Sequence, residues 1–322
     1  MLKSFFVAGL ALAATPAFAQ PAAPAPVCSV ADVATASEEV RADGLVAQYI
    51  HPTTPGRHPA ILILGGSEGG SEGVRALAAP FARQGYAVLA LSYFGAEGLP
   101  RNLDQIPLEY FATGLRWLAA RPDVDAGRIG VYGISKGGEA ALLVASRNPQ
   151  VRATVGGVPS NVAWQGIIRP SWDNRSSWSE GGRPLAYLSY DFSRGFTSIL
   201  ALYTGALPSL PQHPDAEIPV ERINGPVLLI SGRDDKMWPS AAMSDAVAAR
   251  LRAHNFRFPV INLAFENAGH AVANPPALGH SPLGPDSFVG GTEEGNASGR
   301  AEAWRATLCF LRDALAPARA RR

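Results

Sequence analysis

The sequence predicts one large α/β domain: a mostly parallel sheet covered by helices on both faces, with a lid-like insertion. Three observations carry that reading. Short, nearly continuous apolar runs recur, at residues 60–64, 86–91, 227–230 and 260–265. Such runs mark strands buried on both faces rather than on one. Segments with apolar residues at helical spacing fall between them, as at Leu108, Phe111, Ala112, Leu115 and Leu118. Hydrophobic residues make up 47% of the 322 and charged residues 17%, enough apolar material for one large core.

The first segment reads as an export signal. Lys3 supplies the positive start, residues 5–14 the apolar stretch, and Ala17-Phe18-Ala19 a small-x-small cleavage site before Gln20. That stretch is too short to span about 30 Å of hydrocarbon. Residues 1–19 are therefore expected to be removed, leaving no membrane anchor and a periplasmic or secreted protein. Residues 20–58 are read as an N-terminal arm, Ala/Pro-rich at its start.

The main domain is expected to span 59–322. Strand 60–64 leads into a Gly-rich loop at 65–73, a helix at 74–84 stopped by Gly85, and strand 86–91. A helix at 108–120, a strand at 128–132, a helix at 139–146 and a strand at 151–155 follow. Strands 227–230 and 260–265 flank a helix at 241–253, and an amphipathic helix is expected over 301–315. The stretch 159–222 breaks this alternation and carries Trp164, Trp172 and Trp178. It is read as a lid or specificity cap over the strand ends, with a plain surface excursion as the alternative.

Charge and cysteine content narrow the function. The formal net charge is +1, so no basic excess exists to displace counterions from nucleic acid. Only Cys28 and Cys309 are present, and export to an oxidising compartment permits a disulfide between them. The alternative is two free thiols. With two cysteines and scattered histidines, neither a metal nor another cofactor is expected.

The pattern G-x-S-x-G occurs three times, centred on Ser67, Ser71 and Ser135. A nucleophile elbow needs a strand, one sharp turn and then a helix, so that the serine projects from a strained backbone. Only Ser135 in Gly133-Ile-Ser-Lys-Gly137 has a predicted strand before it and a helix after it. A serine hydroxyl needs a base to take its proton, and the base needs an orienting acid. Strand 227–230 runs into Gly232-Arg-Asp-Asp235, and strand 260–265 into Ala268-Gly-His270. Asp235 is favoured as the acid over Asp234, which could cap the next helix. His270 is favoured as the base over His280, in a Pro/Gly-rich loop. The oxyanion hole needs two N–H groups: Lys136 should supply one, and the loop after strand 60–64 the other, through Ser67 or alternatively Glu68. No Gly-Lys-Ser/Thr follows these glycines, which excludes a phosphate-binding loop.

With these motifs the chain resembles the C-terminal α/β-hydrolase domain of acyl-CoA thioesterases and bile acid-CoA:amino acid N-acyltransferase, itself similar to dienelactone hydrolases. The resemblance rests on Ala87-Val-Leu-Ala-Leu-Ser-Tyr93, Gly133-Ile-Ser-Lys-Gly-Gly138, Ile218-Pro-Val-Glu-Arg222, Gly232-Arg-Asp-Asp235 with Trp238, Ala268-Gly-His270, Gly290-Gly291 and Glu302-Ala-Trp304. It covers roughly residues 59–315 and implies Ser135 as nucleophile, Asp235 as acid and His270 as base. The transferase of that family uses a cysteine nucleophile, so Ser135 implies hydrolysis. Acyl-CoA-active members carry a β-sandwich domain ahead of the hydrolase domain, where this chain has only residues 20–58. Export also separates the protein from the main CoA pool. The expectation is an exported serine hydrolase acting on a small-molecule acyl ester or thioester. The alternatives are a carboxylesterase or lactone hydrolase, and an inactive binding module.

Overall fold

The computed structural model describes residues 28, 32–279 and 286–317. The expected signal segment, residues 1–19, and His280 lie outside them. The chain runs through β1 (Thr35–Val40), β2 (Val46–Pro52), β3 (His58–Leu64), α1 (Glu72–Arg83), β4 (Ala87–Ser92), β5 (Ile106–Pro107), α2 (Leu108–Ala119), β6 (Val124–Ile134), α3 (Lys136–Ala145), β7 (Val151–Gly157), β8 (Trp178–Glu180), β9 (Arg183–Pro184) and α4 (Ile199–Ala206). It continues through β10 (Val227–Gly232), α5 (Ser240–Ala253), β11 (Val260–Phe265), α6 (Asp286–Val289) and α7 (Glu293–Ala314).

Eight strands form the main sheet in the order β1-β2-β4-β3-β6-β7-β10-β11. From β4 to β11 all neighbours are parallel, whereas β1 and β2 join antiparallel at one edge. The two-residue side-chain period divides the central strands between two cores. Leu62 and Leu64 of β3 face one core with Phe111 and Leu115 of α2 and Leu251 of α5. Ile61 and Ile63 face the other with Leu77 and Phe81 of α1 and Phe310 of α7.

Three boundaries differ from expectation. The sheet begins inside the stretch read as an arm, since β1 and β2 belong to it. All of β1 except Val40 is exposed, so an edge strand of this kind carries no apolar signature. Helix α7 starts at Glu293 rather than near residue 301. Its cap is Thr292, whose side chain accepts the Gly295 N–H at 3.0 Å, and the glycines that follow hide the helical signal. Helix α3 starts at Lys136, because packing overrides the low propensity of Gly137 and Gly138.

The insertion 159–222 lies at the C-terminal ends of the strands. It carries β8, β9 and α4, and β8 pairs parallel with β5 just before α2. Cys28 and Cys309 are disulfide-bonded, joining the chain ahead of β1 to α7.

Candidate active site

The connection order reverses at β3. Strand β4 lies on one side of it and β6 on the other. The loops leaving β3 and β6 therefore diverge and leave a crevice at the strand ends, where sheets of this type bind ligands. Both the Gly-rich loop after β3 and the turn containing Ser135 stand at that crevice.

Ser135 links β6 to α3 with φ 56° and ψ −123°, a strained conformation for a residue with a Cβ. Its N–H donates to Gly157 O at 2.9 Å, and its carbonyl accepts the Glu139 N–H at 3.0 Å. The turn can be this tight only because its neighbours lack side chains. A Cβ on Gly133 would run into the Gly137 carbonyl, and one on Gly137 into the carbonyls of Leu64 and Gly65.

His270 Nε2 lies 2.8 Å from Ser135 Oγ, and His270 Nδ1 lies 2.8 Å from Asp235 Oδ2. All three residues are buried. Asp235 is held by more than the imidazole. Ser240 Oγ donates to its Oδ2 at 2.6 Å, and the N–H groups of Met237 and Trp238 donate to Oδ1 at 2.8 and 3.2 Å. These donors fix the plane of the carboxylate. Asp234 is exposed, and helix α5 is capped by Pro239 without a side-chain bond, so Asp234 neither meets His270 nor caps the helix.

The His270 loop is clamped from behind. Gly290 bridges to Asp235 and Gly291 to Ala268. Asn296, fully buried in α7, accepts the Gly269 N–H at 2.8 Å and donates to Gly290 O at 2.9 Å. Ser240 and Asn296 are the supporting residues that the sequence reading missed. One available signal was the small-residue pair Gly295 and Gly299 in α7, which permits close approach: a Cβ on Gly295 would strike the Asn267 carbonyl.

Ser67 and Lys136 both line the cleft with Ser135 and His270. Lys136 is the first residue of α3, where helix geometry leaves the N–H without an intrahelical acceptor. Glu68 faces elsewhere: its carboxylate turns back to accept the Gly66 N–H at 3.0 Å, next to a separate small cavity lined by Tyr93 and Phe94. Burial pushes the Glu68 carboxyl above its ordinary pKa of 4.5, against the opposing pull of the Gly66 N–H and His270. The Lys136 side chain also leaves the cleft. Its ammonium meets Glu139 at 2.6 Å, with both side chains almost fully buried. Burial pushes the Glu139 carboxyl up and the Lys136 ammonium down, and each partner's charge opposes the shift of the other.

The rest of the cleft, about 60 Å³, is mostly apolar. The insertion supplies Ile167, Trp172, Tyr190, Ile199, Leu202 and Tyr203 together with the cationic Arg169, and the segment after β10 supplies Met237 and Trp238. Of the three tryptophans noted in the insertion, only Trp172 borders this cleft. Trp164 and Trp178 are fully buried and serve as hydrogen-bond donors, Trp164 Nε1 to Ser160 Oγ at 2.7 Å and Trp178 Nε1 to Glu139 Oε1 at 2.6 Å. Among the other serines of the same pattern, Ser71 Oγ pairs with Ser92 Oγ at 2.8 Å.

Comparison with known proteins agrees with this fold. Residues 106–317 match the family described as BAAT / Acyl-CoA thioester hydrolase C terminal. Human acyl-coenzyme A thioesterase 1 is 30% identical over 289 residues, covering 85% of this chain and 64% of that protein. Mouse peroxisomal succinyl-coenzyme A thioesterase is 28% identical, covering 84% and 64%. The chain thus spans less than two thirds of these relatives' length. Among solved structures, a putative dienelactone hydrolase from Klebsiella pneumoniae subsp. pneumoniae MGH 78578 superposes with a TM-score of 0.55 at 18% identity, covering 86% of this chain and 98% of that one. The α/β hydrolase MGS-M1, from a deep-sea metagenome library, gives 0.54 at 15% identity, covering 89% and 99%. The sheet and its crossings are those of the α/β-hydrolase fold, and the chain belongs to the BAAT / acyl-CoA thioester hydrolase C-terminal family.

Proposed function

We propose that this protein is a serine hydrolase that cleaves an acyl thioester or ester through an acyl-enzyme. The observation that carries the reading is the unbroken hydrogen-bonded line from Ser135 Oγ through His270 to Asp235, at 2.8 Å per step. In this mechanism His270 Nε2 takes the Ser135 proton as Oγ attacks the substrate carbonyl. The N–H groups of Lys136 and Ser67 stabilise the oxyanion. Protonated His270 then gives its proton to the leaving thiolate or alkoxide as the tetrahedral intermediate collapses. A water molecule, activated by the same imidazole, releases the acid. Asp235 holds the imidazole in the tautomer with Nδ1–H and stabilises its cationic form.

Labelling tests this directly. A fluorophosphonate should modify Ser135 at one equivalent per chain, located by peptide mapping; an unlabelled protein, or a label on Ser67, would sink the reading.

The leaving group is proposed separately. Relatives named as acyl-CoA thioesterases support a thioester. The cleft lining brings two cations, Arg169 and Lys136, and Lys136 is already paired with Glu139, which leaves Arg169 alone among the lining residues to grip the phosphates of CoA. Short or medium acyl p-nitrophenyl esters are therefore expected to match or exceed the corresponding acyl-CoA in kcat/KM; a clear preference for the CoA substrate would reverse this.

Export is proposed on the pattern of residues 1–19, supported by the disulfide, which persists in oxidising compartments. Recovery from the periplasm or medium with Gln20 as the first residue is the expected outcome.

A further inference from the structure

The two amides assigned to the oxyanion hole come from separate, glycine-flanked pieces of backbone. Ser67 follows Gly65-Gly66, and Lys136 precedes Gly137-Gly138. Glycine adds torsional freedom, whereas an oxyanion hole acts through donors already fixed in place. Rigidity has to come from outside these segments.

One side chain of the insertion touches supports on both sides. The Trp178 indole N–H donates to Glu139 Oε1 at 2.6 Å, and its ring packs against Tyr93 at 5.9 Å between centroids. Glu139 sits in the first turn of α3. There its other oxygen takes the Lys136 ammonium at 2.6 Å, its N–H bonds Ser135 O at 3.0 Å, and its Oε1 also accepts the Trp164 N–H at 2.9 Å. Tyr93 is the corresponding support of the loop: its hydroxyl donates to Gly65 O at 2.7 Å. Trp178, Glu139 and Tyr93 are all buried, so water does not compete for these bonds.

We propose that Trp178 is a positioning residue, bracing the Lys136 amide through Glu139 and the Ser67 amide through Tyr93. The insertion then completes the catalytic centre as well as bordering the substrate. An ion pair as buried as Lys136–Glu139 adds little net stability; its geometric effect is to fix the first turn of α3. The inference rests on the serine-hydrolase reading.

The test uses the full disulfide-bonded chain with Trp178→Phe and Tyr93→Phe, each of which keeps a ring and removes one donor. Three quantities are measured: kcat and KM for p-nitrophenyl butyrate, the Ki of an aryl trifluoromethyl ketone whose hemiketal places an oxyanion in the hole, and the Ki of the matching alcohol, which forms no adduct. The expected result is a kcat loss of about 10–100-fold in each variant, below the loss of a whole oxyanion donor. The ketone should weaken by a similar factor, while KM and the alcohol's Ki stay within about twofold. Unchanged ketone affinity would overturn the proposal, whether kcat is unchanged or only the melting temperature falls. A rise in KM without loss of ketone affinity would do the same. If Trp178→Phe does not fold, Trp178→Tyr, which also removes the indole donor while keeping a ring, takes its place with the same readouts and the same overturning result. Failure of the parent to take the fluorophosphonate on Ser135 would count against the hydrolase reading itself.

Discussion

The strand-end loops of the sheet and the insertion that covers them are held in shape by different forces. Around Ser135, Asp235 and His270 the backbone is fixed by close approach. Gly133 and Gly137 leave no room for a Cβ, and neither does Gly232, where one would strike the Ala268 carbonyl. In the insertion, side chains do the fixing. Gln165 accepts the Tyr190 N–H at 3.0 Å and donates to Trp172 O at 3.1 Å, and Ser160 Oγ takes the Trp164 indole at 2.7 Å. Rings then meet edge to face, Trp164 against Tyr203 at 4.8 Å and Tyr203 against Trp238 at 5.3 Å between centroids. Steric fixing permits almost no change of shape, whereas rings and amides can be exchanged for others of similar size. Chemistry should therefore reside in the first region and selectivity in the second, apart from Trp178, which is proposed to brace the first region from within the second.

That division fails or holds on measured rates. Ser135→Ala should leave a folded protein and lower kcat by about 10⁴–10⁶-fold, because the covalent route is gone. Retained turnover would remove the chemistry from the sheet. Next in size, Asp235→Asn should lower kcat by roughly 10³–10⁴-fold through loss of the charge that orients His270. Asp234→Asn, at an exposed position, should change kcat by less than about twofold, and the opposite ranking would mean that another loop shape forms in solution. In the insertion, Trp172→Ala should raise KM about tenfold, equivalent to roughly 1.4 kcal/mol of lost apolar contact, with kcat little altered. A kcat effect of equal size would blur the contrast.

The smallest expected effect lies at the seam, at Glu68. Its folded-state pKa is raised by burial, so the folded protein holds that proton more tightly than the unfolded chain does. The resulting stabilisation is complete below the ordinary value of 4.5 and is lost as pH rises through the raised one. Glu68→Gln removes the titration and can still accept the Gly66 N–H. The melting temperature of the variant relative to the parent should thus climb between pH 4.5 and 7, and a flat difference would show that Glu68 titrates normally.

How much of this was legible in the sequence follows from the same contrast. Central strands such as 60–64 and 227–230 were readable because burial on both faces demands a continuous apolar run. The grouping of Ser135, Asp235 and His270 was readable because each follows an apolar strand. Strand β1 was not, since an exposed edge strand with the sequence Thr-Ala-Ser-Glu-Glu-Val has no burial to signal. Nor were the roles of Glu139, Ser240 and Asn296. A buried polar residue needs a partner, and partners brought in from elsewhere in the chain, such as Trp178 for Glu139 and Gly269 for Asn296, leave no local mark. The tryptophans of the insertion announced apolar contact, yet two of the three act through an N–H within the scaffold rather than through a face turned to the cleft.

The Cys28–Cys309 bond has one more consequence. It closes a covalent ring over a separation of 281 residues that contains every strand of the sheet. A pull applied outside that ring travels through sulfur and loads no strand. A protease that cuts any one exposed loop inside it opens the ring without releasing a fragment, so a once-nicked chain keeps its mass until it meets a reductant.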